Sequence, residues 1–229
     1  MKWIGIIGAI GLETALITEE MTGIKTEQYA MFTFTSGKVG ATDVVVSVCG
    51  VGKVNAAACT QAMIDKFNVD CIINTGIAGA ICDTLNPLDI VISSDVTHHD
   101  VRPDQLKGLF PFREFFAGNA DLINIAQQAC AKSSLPGRYV TGRIVSGESF
   151  INAETEKVRI HQSYKASCVE MEGAAIGHVA YLNSIPFVII RTISDRADSS
   201  ADMTFKEFVV QAADTSALLV LSMLNILIC

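Results

Sequence analysis

The sequence has no lysine- or arginine-rich run. Its 17 basic residues are outnumbered by 24 acidic ones, leaving a net charge of −7. Nucleic acid and anionic membrane surfaces are therefore not expected as partners, because the cationic footprint they require is missing. No CxxC pair joins any of the seven cysteines (Cys49, Cys59, Cys71, Cys82, Cys130, Cys168, Cys229), and no histidine stands at metal-ligand spacing from them. No metal is expected, and the thiols read as small core hydrophobes in a reducing cytoplasm. The neighbouring His98 and His99 would point to opposite faces of a strand, which argues against a shared ion and favours a turn or interface role. The dinucleotide fingerprint GxGxxG is missing too: Gly5, Gly8 and Gly11 are spaced GxxGxxG, so no cofactor is expected. Ser146 follows Ile144-Val145 and lacks the GxSxG elbow of a serine hydrolase. Glu13, Glu19 and Glu20 come too early for a secretory leader, and no repeat or Gly/Ser linker divides the chain.

What is present is a large apolar fraction. Half of the 229 residues are hydrophobic, enough for one sizeable core and one domain over residues 1–229. Short β-branched runs at 3–8, 44–48, 71–74, 88–93, 139–145 and 186–193 predict buried strands. Residues 54–68 and 171–183 carry apolar residues at helical spacing, and Thr204 with Glu207 forms a capping box that starts a helix running toward the C-terminus. The apolar tail is broken by Ser222 and Asn225 and reads as a packed helix, not a membrane span. Around residues 31–48, two strands joined through Gly37 and Gly40 predict a hairpin. The expected architecture is α/β: a single domain with a mixed, mostly parallel central sheet and flanking helices. "GVGK" at 50–53 reads as a tight turn entering the Ala-rich helix. Residues 97–118 show no clear period and read as a long functional loop.

Carboxylates are concentrated where strands hand over to the next element. Glu13 follows the first strand, Glu170 and Glu172 occupy "CVEMEGAA", and Asp195 follows "FVIIRTIS". Each alone reads as a helix cap. Together, at the edge of a sheet whose strand ends line a crevice, they suggest acid/base chemistry on an uncharged ligand.

The segments "GIIGAIGLE", "CGVGKVNAA", "INTGIAGA", "DIVIS", "IVSGESFIN", "VEMEGAAIGHVA", "RTISDRAD" and "TFKEF" occur in order along nearly the whole chain. Together they resemble the 5'-methylthioadenosine/S-adenosylhomocysteine nucleosidases of the nucleoside phosphorylase superfamily. That resemblance implies a nucleoside phosphorylase-like fold and hydrolysis of the bond between adenine N9 and ribose C1'. It implies Glu13 as the base that activates water and Asp195 as the acid that protonates adenine N7. Glu172 would hold the ribose hydroxyls, with Met171 under the sugar, and Phe150 and Ile151 would hold the purine. Gly79, Val51, Ile10 and Glu170 would add substrate contacts, Arg191 and Ser194 would support the acid and the water, and Phe205 would wall the alkylthio pocket. A homodimer is implied, with a lid around Leu106 and Phe110 reaching the neighbouring copy's pocket. Ile77, and Gly11-Leu12 before Glu13, depart from the family's commoner pattern, as does the lid sequence at 101–112; these bear on the preferred 5'-substituent. The competing readings are a phosphorolytic enzyme of the same fold and a silent nucleoside binder. The opening 50 residues hold only Lys2, Lys25 and Lys38 as cations, and the first arginine is Arg102, which leaves a phosphate nucleophile little to pair with.

Overall fold

The computed structural model describes residues 3–227, so Lys2 and Cys229 lie outside the described residues. In chain order the elements are β1 (Trp3–Gly8), α1 (Ala15–Glu19), β2 (Thr22–Tyr29), β3 (Phe32–Val39), β4 (Thr42–Val48), α2 (Lys53–Phe67) and β5 (Cys71–Ala80). There follow β6 (Ile90–His98), α3 (Pro103–Gly108), β7 (Phe116–Ala117), α4 (Ala120–Lys132), β8 (Tyr139–Ser146) and α5 (Glu154–Tyr164). The chain closes with β9 (Cys168–Glu170), α6 (Gly173–Leu182), β10 (Phe187–Asp195) and α7 (Ala201–Leu227).

The strands form one sheet in the order β10-β6-β8-β9-β5-β1-β4-β3-β2. β10 also pairs with β5, so β5, β9, β8, β6 and β10 close on themselves as a small barrel. Parallel pairings carry the centre: β1 with β4 and β5, β5 with β10, and β6 with β8. The antiparallel share is larger than one hairpin, because β2, β3 and β4 form a three-stranded meander and β10 runs against β6.

Alternation along each strand divides the core in two. Ile7, Ile72 and Ile189 face α2 and α6, whose Ala56, Met63, Ala174 and Ile176 pack on them. Ile6, Ile73 and Ile190 face the other way, toward Leu122 and Ala126 of α4 and Leu219, Val220 and Met223 of α7. α7 has the length and composition to cross a membrane, yet half of its most apolar window is buried inside the fold.

Three expectations are corrected. Gly37 is not in the hairpin turn, which falls at Gly40 (φ +59°). It lies within β3, where a Cβ would stand 2.8 Å from the Thr22 carbonyl oxygen, so β2 requires its bareness. The last helix begins at Ala201, ahead of the Thr204 box. Asp198 takes the Ser200 N–H and hydroxyl just before that start, and Thr204 Oγ1 donates back to the Ser200 carbonyl from within the helix. Residues 97–118 are not a structureless loop, since they contain the end of β6, all of α3 and β7. His99 falls in the turn after β6, one of the two roles expected of the pair, and both histidines are buried, with the His98 ring set against Phe116 and His178.

Candidate active site

The ends of β1, β5, β9 and β10 converge on a cavity of about 210 Å³. Glu13, Glu172 and Asp195 line it together with Ile10, Val51, Gly79, Phe150, Glu170, Met171, Ser194 and Phe205. Ile151 opens onto a small adjoining recess shared with Gly79, Phe150 and Asp195. Arg191 is 1% exposed and lies beneath the carboxylates. The structure thus gathers the sequence-predicted pocket residues around one space. Leu106 and Phe110 are elsewhere: Leu106 is buried in a separate groove of about 500 Å³ beside Val54, His98 and Leu182, and Phe110 is exposed.

Glu13 sits on a single 3-10 turn, Gly11–Glu13, directly after β1. Its Oε2 accepts the backbone N–H groups of Ala9 (2.5 Å) and Ile10 (3.1 Å), and its Oε1 accepts that of Ile77 (3.1 Å). Burial raises its pKa, opposed by the Arg191 charge and those three N–H donors. Gly8 and Gly76 allow this approach; a Cβ on Gly8 would come within 3.3 Å of Oε2, and one on Gly76 would collide with Oε1.

Glu172 precedes α6 but does not cap it with its side chain. Instead Oε1 accepts the Gly52 N–H at 2.8 Å, and Oε2 lies 3.6 Å from Arg191 Nη2. Gly52 (φ +101°) completes the tight turn before α2 expected from "GVGK". Burial and the neighbouring Glu170 charge raise the Glu172 pKa to about 7. Glu170 is the true acceptor at the start of α6, taking the N–H groups of Glu172 (3.1 Å) and Gly173 (2.7 Å). Burial raises its pKa, but Arg191 and the hydrogen bonds to Glu170 outweigh that and hold it below the usual carboxylate value.

Asp195 ends β10 after an irregularity in the pairing with β5. Its Oδ1 accepts the Ala197 N–H and its Oδ2 the Ser194 hydroxyl, each at 2.8 Å. A Cβ on Gly79 would stand 2.7 Å from Oδ1, which explains the glycine there. Burial raises the Asp195 pKa, and the charges of Asp198 and Asp202 add to the rise against those two hydrogen bonds. Phe150 and Phe205 meet edge to face at 5.8 Å and form an aromatic wall. Sequence reasoning missed Ser146 as a site residue, although it closes β8 and bonds Glu170, and missed Ser216, which holds Gly76 N from α7. The abrupt end of the apolar run at "IVS" was the only signal for Ser146; nothing in "ADTSALL" marked Ser216.

A partly closed sheet whose strand ends hold three buried carboxylates, Glu13, Glu172 and Asp195, around one cavity defines an α/β protein with a candidate acid/base site. The phosphorylase superfamily model matches residues 3–225. The 5'-methylthioadenosine/S-adenosylhomocysteine nucleosidase of Treponema pallidum is 40% identical, the match covering 97% of this chain and 92% of the relative. The nucleosidase of that name from Neisseria meningitidis, solved with methylthio-immucillin-A, superposes with a TM-score of 0.93 at 33% identity, covering 98% of this chain and 99% of the other. The Colwellia psychrerythraea nucleosidase, solved with adenine, gives 0.93 at 37% identity, covering 98% and 95%. The chain belongs to the 5'-methylthioadenosine/S-adenosylhomocysteine nucleosidase family of the phosphorylase superfamily.

Proposed function

We propose that this protein uses water to cleave the bond between adenine N9 and ribose C1' in 5'-methylthioadenosine and S-adenosylhomocysteine, releasing adenine and the thioribose product. One observation carries this assignment: Glu13 and Asp195 face one cavity, both raised in pKa by burial but with different neighbours. Glu13 lies beside the Arg191 cation and three N–H donors, which favour its ionised form. Asp195 is buried with anionic neighbours, which favour its protonated form. Against the same burial, the cation beside Glu13 and the anions beside Asp195 suit the first to accept a proton and the second to donate one.

The bond breaks through a sugar that gains positive charge while the base gains negative charge. Asp195 donates its proton to adenine N7, so N9 departs with the bonding electrons on a neutral purine. Glu13 takes a proton from water as the water oxygen joins C1'. Arg191 Nη1, which has no protein partner among the described residues, faces the same space above Gly76 as Glu13 Oε1 and offers a donor for that water. Glu172 accepts from the ribose hydroxyls, Met171 packs under the sugar, and Phe150 and Ile151 hold the purine. Phosphorolysis is disfavoured by the cations available. Lys25 and Lys38 pair with Glu27 and Asp43 on the meander, and Arg191 already serves Glu170.

We also infer a cytoplasmic homodimer. The groove holding Leu106 is open and apolar, and Leu109, Phe110 and Phe112 are exposed beside α3, a surface suited to a second copy whose pocket the segment would cover. Sedimentation at micromolar concentration tests the pairing. Release of adenine from either substrate in phosphate-free buffer is the test of the reaction. Strict phosphate dependence with a ribose 1-phosphate product, or tight binding without turnover, would overturn it.

A further inference from the structure

Beneath the cavity, Glu170 receives five donors. Its Oε2 accepts Arg191 Nε at 3.2 Å, Arg191 Nη2 more closely, and the Glu172 and Gly173 N–H groups. Its Oε1 accepts the Ser146 hydroxyl, and Ser146 Oγ in turn accepts the Ala174 N–H at 2.7 Å. So crowded a carboxylate has little left to offer a substrate, although it lines the cavity. We propose that Glu170 is a positioning residue: it fixes the Arg191 guanidinium by two of its nitrogens, leaving Nη1 aimed at the water site beside Glu13, and Ser146 locks Glu170 in that pose. This rests on the hydrolytic assignment above and adds a residue that acts through Arg191 without touching substrate.

Charge balance follows from the same geometry. The buried cluster contains one cation, Arg191 from β10, between Glu170 from β9 and Glu172 at the start of α6, with Glu13 across Gly76. Asp195 faces the same cavity from the end of β10, and Lys53 and Asp100 act on His98 from beyond the cluster. Burial holds the Cys49 thiol after β4 and the Cys168 thiol on β9 far above their usual range, and keeps His98 and His99 at the end of β6 neutral. Glu170 therefore neutralises most of the Arg191 charge. Without its anion, that charge acts on Glu13 and Glu172 alone, and both ionise at lower pH.

The test is the pH profile of kcat/KM for Glu170→Gln, a substitution that preserves shape. The expected result is a kcat reduced at least ~10-fold and an acid limb displaced downward by about one pH unit, with the basic limb, set by Asp195, unmoved. A reduced kcat with an unmoved acid limb, or an unchanged kcat, overturns the proposal. Wild-type protein that releases no adenine at any pH would instead defeat the hydrolytic assignment. Should E170Q fail to fold, the charge-balanced E170Q/R191Q decides. Recovery of a cooperative melt is expected if Glu170 works through Arg191, and failure of both variants overturns it.

Discussion

Glu13 Oε1 and Arg191 Nη1 converge on the bare α-carbon of Gly76, so that a methyl group there would collide with both. Gly76 N is meanwhile held by Ser216 Oγ at 3.1 Å, which prevents the strand from yielding. Gly76→Ala is expected to lower kcat about 100-fold by separating base and cation, and to cost about 1–3 kcal/mol of stability. Steady-state rates with a thermal melt check both, and wild-type turnover would place the water elsewhere.

Asp195→Asn keeps the side-chain size and an acceptor for the Ala197 N–H, but carries no acidic proton. Turnover of 5'-methylthioadenosine is expected to fall by about 100- to 10,000-fold with little change in melting temperature. A 5'-methylthioriboside of p-nitrophenol, whose leaving group needs no protonation, should largely escape that loss. Equal losses on both substrates would remove Asp195 from the role of acid.

Glu172 gives a dependence of stability on pH with a definite sign. Its pKa rises from 4.5 to about 7 on folding, so the folded state binds the extra proton. The stability tied to that proton is fully present below about pH 4.5 and is lost as pH rises through about 7, at ~1.4 kcal/mol per unit at most. Glu13 and Asp195 are shifted the same way, whereas the lowered Glu170 gives stability that is present above the usual carboxylate value and lost only as pH falls below it. Glu172→Gln should therefore flatten the slope of unfolding free energy between pH 5 and 7 without abolishing it. Urea titrations across that window measure this, and an unaltered slope would contradict it.

The Phe150–Phe205 contact joins the loop after β8 to the first turns of α7. Phe205→Ala removes one face of the wall and an aromatic pair worth ~0.5–1.5 kcal/mol. We expect KM for 5'-methylthioadenosine to rise about 10-fold with kcat changed less than threefold. A fall in kcat at constant KM would mean that Phe205 serves the reacting atoms and not the alkylthio group.

Much of this arrangement was legible in the sequence because burial and periodicity coincide there. β1, β5 and β10 each contain a short apolar run and are almost wholly buried, and α2 begins at the glycine turn that "GVGK" suggested. The strand-end carboxylates were legible for a similar reason, since charges amid apolar runs must be held by something. β2 was not, because "TGIKTEQY" is an almost wholly exposed edge strand whose order comes from pairing with β3 and not from an apolar face. α3 and β7 are short, and tertiary contacts define them. Which carboxylate would cap and which would act could not be read from "VEMEG". Glu170 and Glu172 differ in what lies opposite them, Arg191 with Ser146 for one and the Gly52 N–H for the other, and those partners are distant in sequence.

α7 places Phe205 in the cavity wall, Ser216 under Gly76, and Leu224 within reach of the Thr42 hydroxyl on β4. A chain cut at residue 200 would keep Glu13, Glu172 and Asp195 but lose both Phe205 of the wall and Ser216 of the prop. A cavity assembled from both ends of the described fold is thus complete only once α7 has docked on β5 and β10.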